Sequence, residues 1–144
     1  MAVGAAVGLA FAFVLWLLRR TGPVRTLEGW QREMVGGWTA ADAVAVAILS
    51  GLAEEALLRA LLQPVIGLVP AAVIFALLHF LPDRRLWLWP LLALASGLVL
   101  GLLFTVYGFP AAVAAHTTVN LVGLLRLRSV PGGATAPGQH DGSV

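Results

Sequence analysis

From Met1 to Leu18, and again from Leu86 to Ala115, the chain carries no charged side chain. About 20 consecutive apolar residues are enough to cross the hydrocarbon of a bilayer as a helix. Helices in lipid need not each bury an apolar stripe in a water-excluding core, so 144 residues suffice for one membrane domain. The composition agrees: 60% of residues are hydrophobic and 11% charged, against about 25% charged in soluble domains. Cysteine is absent, which excludes disulfides, thiolate nucleophiles, zinc-thiolate sites and iron–sulfur clusters. All nine basic residues are arginines, spread over short connecting segments rather than gathered in a stripe, so nucleic-acid binding has no support.

The order of apolar and charged segments predicts an all-α polytopic transmembrane bundle of about five spans. Residues 1–20 form the first span; its charge, Arg19 and Arg20, follows the apolar run, so it reads as a retained helix and not a cleaved signal peptide. Residues 21–38 mix Arg25, Glu28, Arg32 and Glu33 with Trp30 and Trp38, as expected of an interfacial connector, read as a loop with aromatic anchors. Residues 39–128 form the core. Thr39 is a fair N-cap for span 2, with Asp42 in its first turn and Pro64 and Gly67 as stops. Span 3 covers about Leu68 to Leu81, and the Tyr107-Gly108-Phe109-Pro110 turn separates spans 4 and 5. Gly97 and Gly101 suit a packing face, and Trp87 and Trp89 suit interface anchors. The tail, 129–144, is too rich in Gly, Pro and small polar residues to bury anything and is expected to be disordered. With five spans, the arginine groups 19/20/25/32, 84/85 and 126/128 fall on one side. The positive-inside rule makes that side cytoplasmic, the N-terminus external and the C-terminus cytoplasmic.

Span 2 contains Glu54, Glu55 and Arg59, each costing about 2.5–3.5 kcal/mol at a helix centre if unpaired. Glu55 and Arg59, four residues apart with the acid first, can neutralise one another. Glu54 points about 100° away and has no local partner. Counted from the turn near Ile66, Glu54 and His79 lie at similar depth, about 18 and 20 Å down two antiparallel helices. His116 is about 12 Å below the same external side, with Asn120 following on the same face. One carboxylate, two imidazoles and one carboxamide thus converge. That set suits hydrolysis: Glu54 takes a proton from water, His79 helps to orient the water, and His116 and Asn120 donate to an oxyanion at about 3 kcal/mol each.

The motifs Glu54-Glu55-Ala56-Leu57-Leu58-Arg59, Phe75-Ala76-Leu77-Leu78-His79 and His116-Thr117-Thr118-Val119-Asn120 resemble the EExxxR, FxxxH and HxxxN motifs of the CAAX-prenyl protease and bacteriocin-processing (CPBP, or Abi) family of intramembrane proteases. The resemblance covers about Thr39 to Leu125. It implies that Glu54 and His79 act on the attacking water, that His116 and Asn120 form the oxyanion site, and that Glu55 and Arg59 are mainly structural. The family includes enzymes that remove the terminal three residues after a prenylated cysteine, together with bacterial members of other roles. This chain has the catalytic core and few of the additional helices of larger members.

The expectation is therefore a glutamate-dependent intramembrane endopeptidase, an integral protein of a bacterial plasma membrane. Its partners are membrane lipids and a membrane-anchored protein or peptide substrate, and it uses no cofactor. Three alternatives stand beside it. Glu54, His79 and His116 could hold a catalytic zinc, Glu54, Glu55, His79 and His116 could form a proton relay in a small transporter, or the bundle could be an inactive scaffold.

Overall fold

The computed structural model describes residues 1–128; the tail, 129–144, lies outside the described residues. Every element among the described residues is helical. Helix α1 is Ala2–Leu18 and α2 is Gly22–Val35. Helix α3 begins as Ala40–Glu55, continues without a break as a π-helical stretch, Ala56–Leu62, and ends in an α turn, Gln63–Ile66. Helix α4 is Leu68–Leu78, a 3-10 turn occupies Arg84–Leu86, α5 is Leu88–Tyr107 and α6 is Phe109–Arg128. Among these, Arg84–Tyr107 has the length and mean hydropathy, 2.1, of a membrane span. Helices α1 and α2 reach that standard only as a pair bent by 111°, and α4 is apolar but short.

The boundaries follow from local chemistry. Thr39 Oγ1 accepts a hydrogen bond from Asp42 N at 3.1 Å while the Asp42 carboxylate accepts from Thr39 N at 2.8 Å, a reciprocal cap that satisfies two orphan donors. Gly67 and Gly108, with φ of 89° and 78°, make the turns after α3 and α5, where a side chain would be strained. The 3-10 turn is capped by Asp83, whose carboxylate accepts from Arg85 N at 2.8 Å. That bond holds the Asp83 carboxyl below its ordinary range.

Three expectations are corrected. The connector after Arg20 is not a loop but the helix α2: Pro23 sits in its first turn, and Val24, Leu27, Glu28 and Val35 are buried at helical spacing. Pro64 does not stop span 2, because it lies in the first turn of the α segment that follows the π-helical stretch, where a missing N–H costs little. Span 3 stops at Leu78, so His79 is the C-cap of α4 instead of an interior residue.

Helix α6 is the central element, packed against α1, α3, α5 and α2, while α4 lies mainly on α5. Gly97 and Gly101 do form a packing face, with Ala72 and Phe75 of α4 beside the first and Gln63 and Leu68 beside the second. Helix α1 reaches α6 through its own small residues: a Cβ on Gly8 would stand 2.5 Å from the Ala115 carbonyl oxygen. Gly8→Leu is expected to push α1 off α6 and cost about 1–3 kcal/mol. Gly29→Ala, in open space on α2, is expected to stabilise slightly, by up to ~1 kcal/mol. Unfolding of the two variants in mixed micelles checks both.

Candidate active site

Helices α3 and α6 run antiparallel and touch closely at Gly51, where a Cβ would stand 2.5 Å from Thr117 Oγ1. This approach brings Ser50, Glu54 and Glu55 of α3 level with Asn120 and His116 of α6. Glu55 and Arg59 are completely buried, and the Arg59 Nε–H donates to Glu55 Oε2 at 3.2 Å. The other Glu55 oxygen lies 2.8 Å from His116 Nδ1. A carboxylate only accepts, so Nδ1 carries the proton and His116 Nε2 is turned away from Glu55. The π-helical stretch that holds Arg59, a rare form often found at functional sites, coincides with these buried charges.

Glu54 is in a different position. Its Oε2 lies 3.9 Å from His79 Nε2 and 3.9 Å from His116 Nε2. That oxygen is buried and accepts no hydrogen bond from the protein. His79 Nδ1 is 2.8 Å from the Phe75 carbonyl oxygen, which can only accept, so Nδ1 again holds a proton and Nε2 of the neutral ring is an acceptor. Glu54 and His79 therefore present two acceptors to the space between them, while their side chains remain 32% and 24% exposed and reachable.

Asn120 Nδ2 donates to Ser50 Oγ at 3.0 Å. This is the interhelical link that an asparagine in a bundle commonly makes, and it leaves the second amide hydrogen unused. Glu54, His79, His116, Asn120 and Ser50 all line one cavity of about 730 Å³, a size suited to a small ligand or peptide segment. The structure thus brings together all four residues expected to react and keeps Glu55 and Arg59 behind them.

Two residues gain roles that their sequence positions do not suggest. Trp89 is not a simple interface anchor: its ring stacks on His79 at 5.8 Å and meets Trp30 edge-on at 5.6 Å. Ser50 orients Asn120, and its signal in the sequence is its place one turn before Glu54. Phe75 supports both imidazoles, with ring centroids 4.5 Å from His79 and 5.8 Å from His116. For zinc, tetrahedral coordination at about 2.0–2.1 Å would bring donor atoms to roughly 3.3–3.4 Å of one another. The two Glu54–imidazole separations are 3.9 Å, and no group of three such ligands among the described residues is arranged to hold a metal ion.

Removing Arg59 would leave Glu55 buried with His116 as its one remaining partner. Arg59→Leu is expected to cost about 3–5 kcal/mol, and the double variant Glu55→Leu/Arg59→Leu less than the single one, as read from unfolding midpoints in detergent.

No curated protein and no solved structure matches the chain. Residues 36–122 match the family model described as type II CAAX prenyl endopeptidase Rce1-like. That match covers more than half of the chain and every residue of the site, so the chain belongs to the Rce1-like family of membrane-embedded endopeptidases.

Proposed function

We propose that the chain hydrolyses a peptide bond near the C-terminus of a membrane-anchored protein or peptide, with Glu54 as general base and no metal. The observation that carries this reading is the unpartnered Glu54 Oε2 beside two imidazole Nε2 atoms at 3.9 Å. One water fits such a gap, donating one hydrogen to Glu54 and the other to His79 Nε2 and keeping a lone pair for attack.

The chemistry then balances. Glu54 takes the proton as the water oxygen adds to the scissile carbonyl carbon. The resulting oxyanion accepts the spare N–H of Asn120 and the Nε2–H of His116, which exists when that ring holds both protons. In that state Glu54, Glu55, Arg59 and the His116 imidazolium sum to zero charge, which suits a low-dielectric site. Glu54 returns its proton to the leaving nitrogen as the C–N bond breaks. His79 keeps its Nδ1–H on the Phe75 carbonyl oxygen throughout.

A farnesylated cysteine peptide with three further residues, incubated with the protein in phosphatidylcholine vesicles, tests this reading. Glu54→Gln is expected to abolish release of the C-terminal fragment without loss of fold, and Asn120→Leu to lower kcat by about 10²–10³. Mass spectrometry of the products checks both, and full activity in the Glu54→Gln protein would overturn the mechanism.

We also propose that α1, α3, α4, α5 and α6 enter the bilayer as five segments, with Met1 outside and the arginine clusters inside, the arrangement of the positive-inside rule. The chain has no cysteine, so single cysteines can be introduced cleanly. In spheroplasts, Tyr107→Cys is expected to react with an impermeant maleimide and Arg20→Cys not to react until the membrane is opened.

A further inference from the structure

His79 stands at the end of its helix. It is the C-cap of α4, with φ of −96° and ψ of 3°, whereas Glu54 and His116 project from helices that continue past them. A hydrogen bond from Nδ1 to the Phe75 carbonyl oxygen, 2.8 Å long, ties one edge of the ring. Helix ends fray, and a ring tied at one edge of a fraying turn does not hold its far nitrogen in a fixed direction. What packs on the ring therefore decides where Nε2 is aimed.

Two aromatic rings meet it. Phe75, one turn earlier on α4, lies 4.5 Å away between centroids and is tilted by 59°. Trp89, in the first turn of α5, lies 5.8 Å away and 30° from parallel. Trp89 is in turn met by Trp30 of α2 at 5.6 Å and 77°, the edge-to-face arrangement that aromatic pairs favour. Helix α2 is itself fixed. It buries Val24, Leu27 and Val35, and its buried Glu28, two residues before Trp30, is bonded to Arg32 on the same helix and to Arg126 on α6. Trp30 lies outside the stretch that the family model matches, 36–122.

We propose that Trp89 is a positioning residue for His79 and that Trp30 holds Trp89 in place, so that α2, which supplies no reacting group, sets the aim of Nε2 on the attacking water. The inference rests on the hydrolytic reading above. Phe75 cannot do this alone, because it rides on the same helix end as His79, and any loosening of that end carries both rings together. Trp89 and Trp30 belong to other helices and stay put. An indole presents a broad flat face on only two side-chain torsions, so blocking its edge with Trp30 leaves it few ways to turn. A misplacement of about 1 Å at a reacting group costs on the order of 10²-fold in rate. Trp89 also borders the cavity. Contact with the substrate is thus the rival role, and it affects KM where positioning affects kcat.

The test uses the full chain in phosphatidylcholine nanodiscs, labelled with isotopic histidine. The chain has three histidines, so His79→Gln and His116→Gln identify the two ring signals by nuclear magnetic resonance. Trp89→Leu is expected to shift the His79 ring signal and leave that of His116 in place. With the farnesylated cysteine peptide it is expected to lower kcat about 10- to 100-fold while KM stays within about twofold. Trp89→Phe restores most of the rate. Trp30→Leu, which acts on His79 through Trp89, is expected to move the same signal and lower kcat about three- to tenfold, with Trp30→Phe restoring it. Should Trp89→Leu not fold, the Trp30 pair decides by itself. An unmoved His79 signal in the Leu variants overturns the proposal. So does a change in both histidine signals alike, which marks general loosening, or a higher KM at unchanged kcat, which marks substrate contact. If the His79 signal responds as expected but the wild type cuts no peptide, the hydrolytic reading fails and the aromatic support of His79 stands.

Discussion

Everything in the centre of this molecule depends on how one buried carboxylate is satisfied. Glu55 has no exposed surface and uses both oxygens, one toward Arg59 on its own helix and one toward His116 on α6. A charge left alone at such depth would cost a large part of the stability of a small domain, so the register between α3 and α6 cannot slip. Shifting α6 by one residue would turn His116 by about 100° and break the contact. The same bond holds the His116 Nδ1–H on Glu55 and aims Nε2 toward Glu54. Structural and chemical demands thus meet in one side chain.

Small residues carry the second constraint. Gly51 lets the backbone of Thr117 come close enough for the Ser50–Asn120 and Glu55–His116 bonds to form at 3.0 and 2.8 Å. Where lipid tails are as apolar as leucine, helix association relies on close packing of this kind more than on hydrophobic burial. Around the polar site, α1, α3, α5 and α6 supply an apolar wall, and α2 contributes Val24, Leu27, Glu28 and Gln31. The cavity is therefore built by the whole bundle, and α2 is part of it.

Much of the site was legible in the sequence because helix geometry is regular. The rise of 1.5 Å per residue puts Glu54 and His79 at similar depth below one turn and His116 below the same side from the other, and the four-residue spacing pairs Glu55 with Arg59. What was not legible depends on contacts between elements. Helix α2 mixes charges and tryptophans in a way that reads as a surface connector, and becomes a helix because Val24, Leu27 and Val35 find a wall to bury against. The end of α4 at Leu78 makes His79 a cap whose Nδ1 binds the Phe75 carbonyl, a detail hidden from periodicity. Trp89 stacks on His79 because the segment after α4 folds back through a 3-10 turn to start α5. No local pattern specifies that path.

The contrast between the paired glutamates bears most directly on function. Adjacent in sequence, they meet opposite fates: Glu55 is fully bonded, whereas Glu54 Oε2 is buried without a hydrogen-bond partner in the protein. The Glu54 side chain still reaches the cavity, with 32% of its surface exposed. The same helix that locks Glu55 into a rigid ion cluster holds Glu54 toward the cavity, with two imidazole nitrogens at equal distance. The locked acid keeps both His116 and the helix backbone in place while the open acid remains available to a small molecule. Rigid support behind an acid that stays open to the cavity is what the proposed general base needs, because the ion cluster behind it then fixes the direction in which it faces.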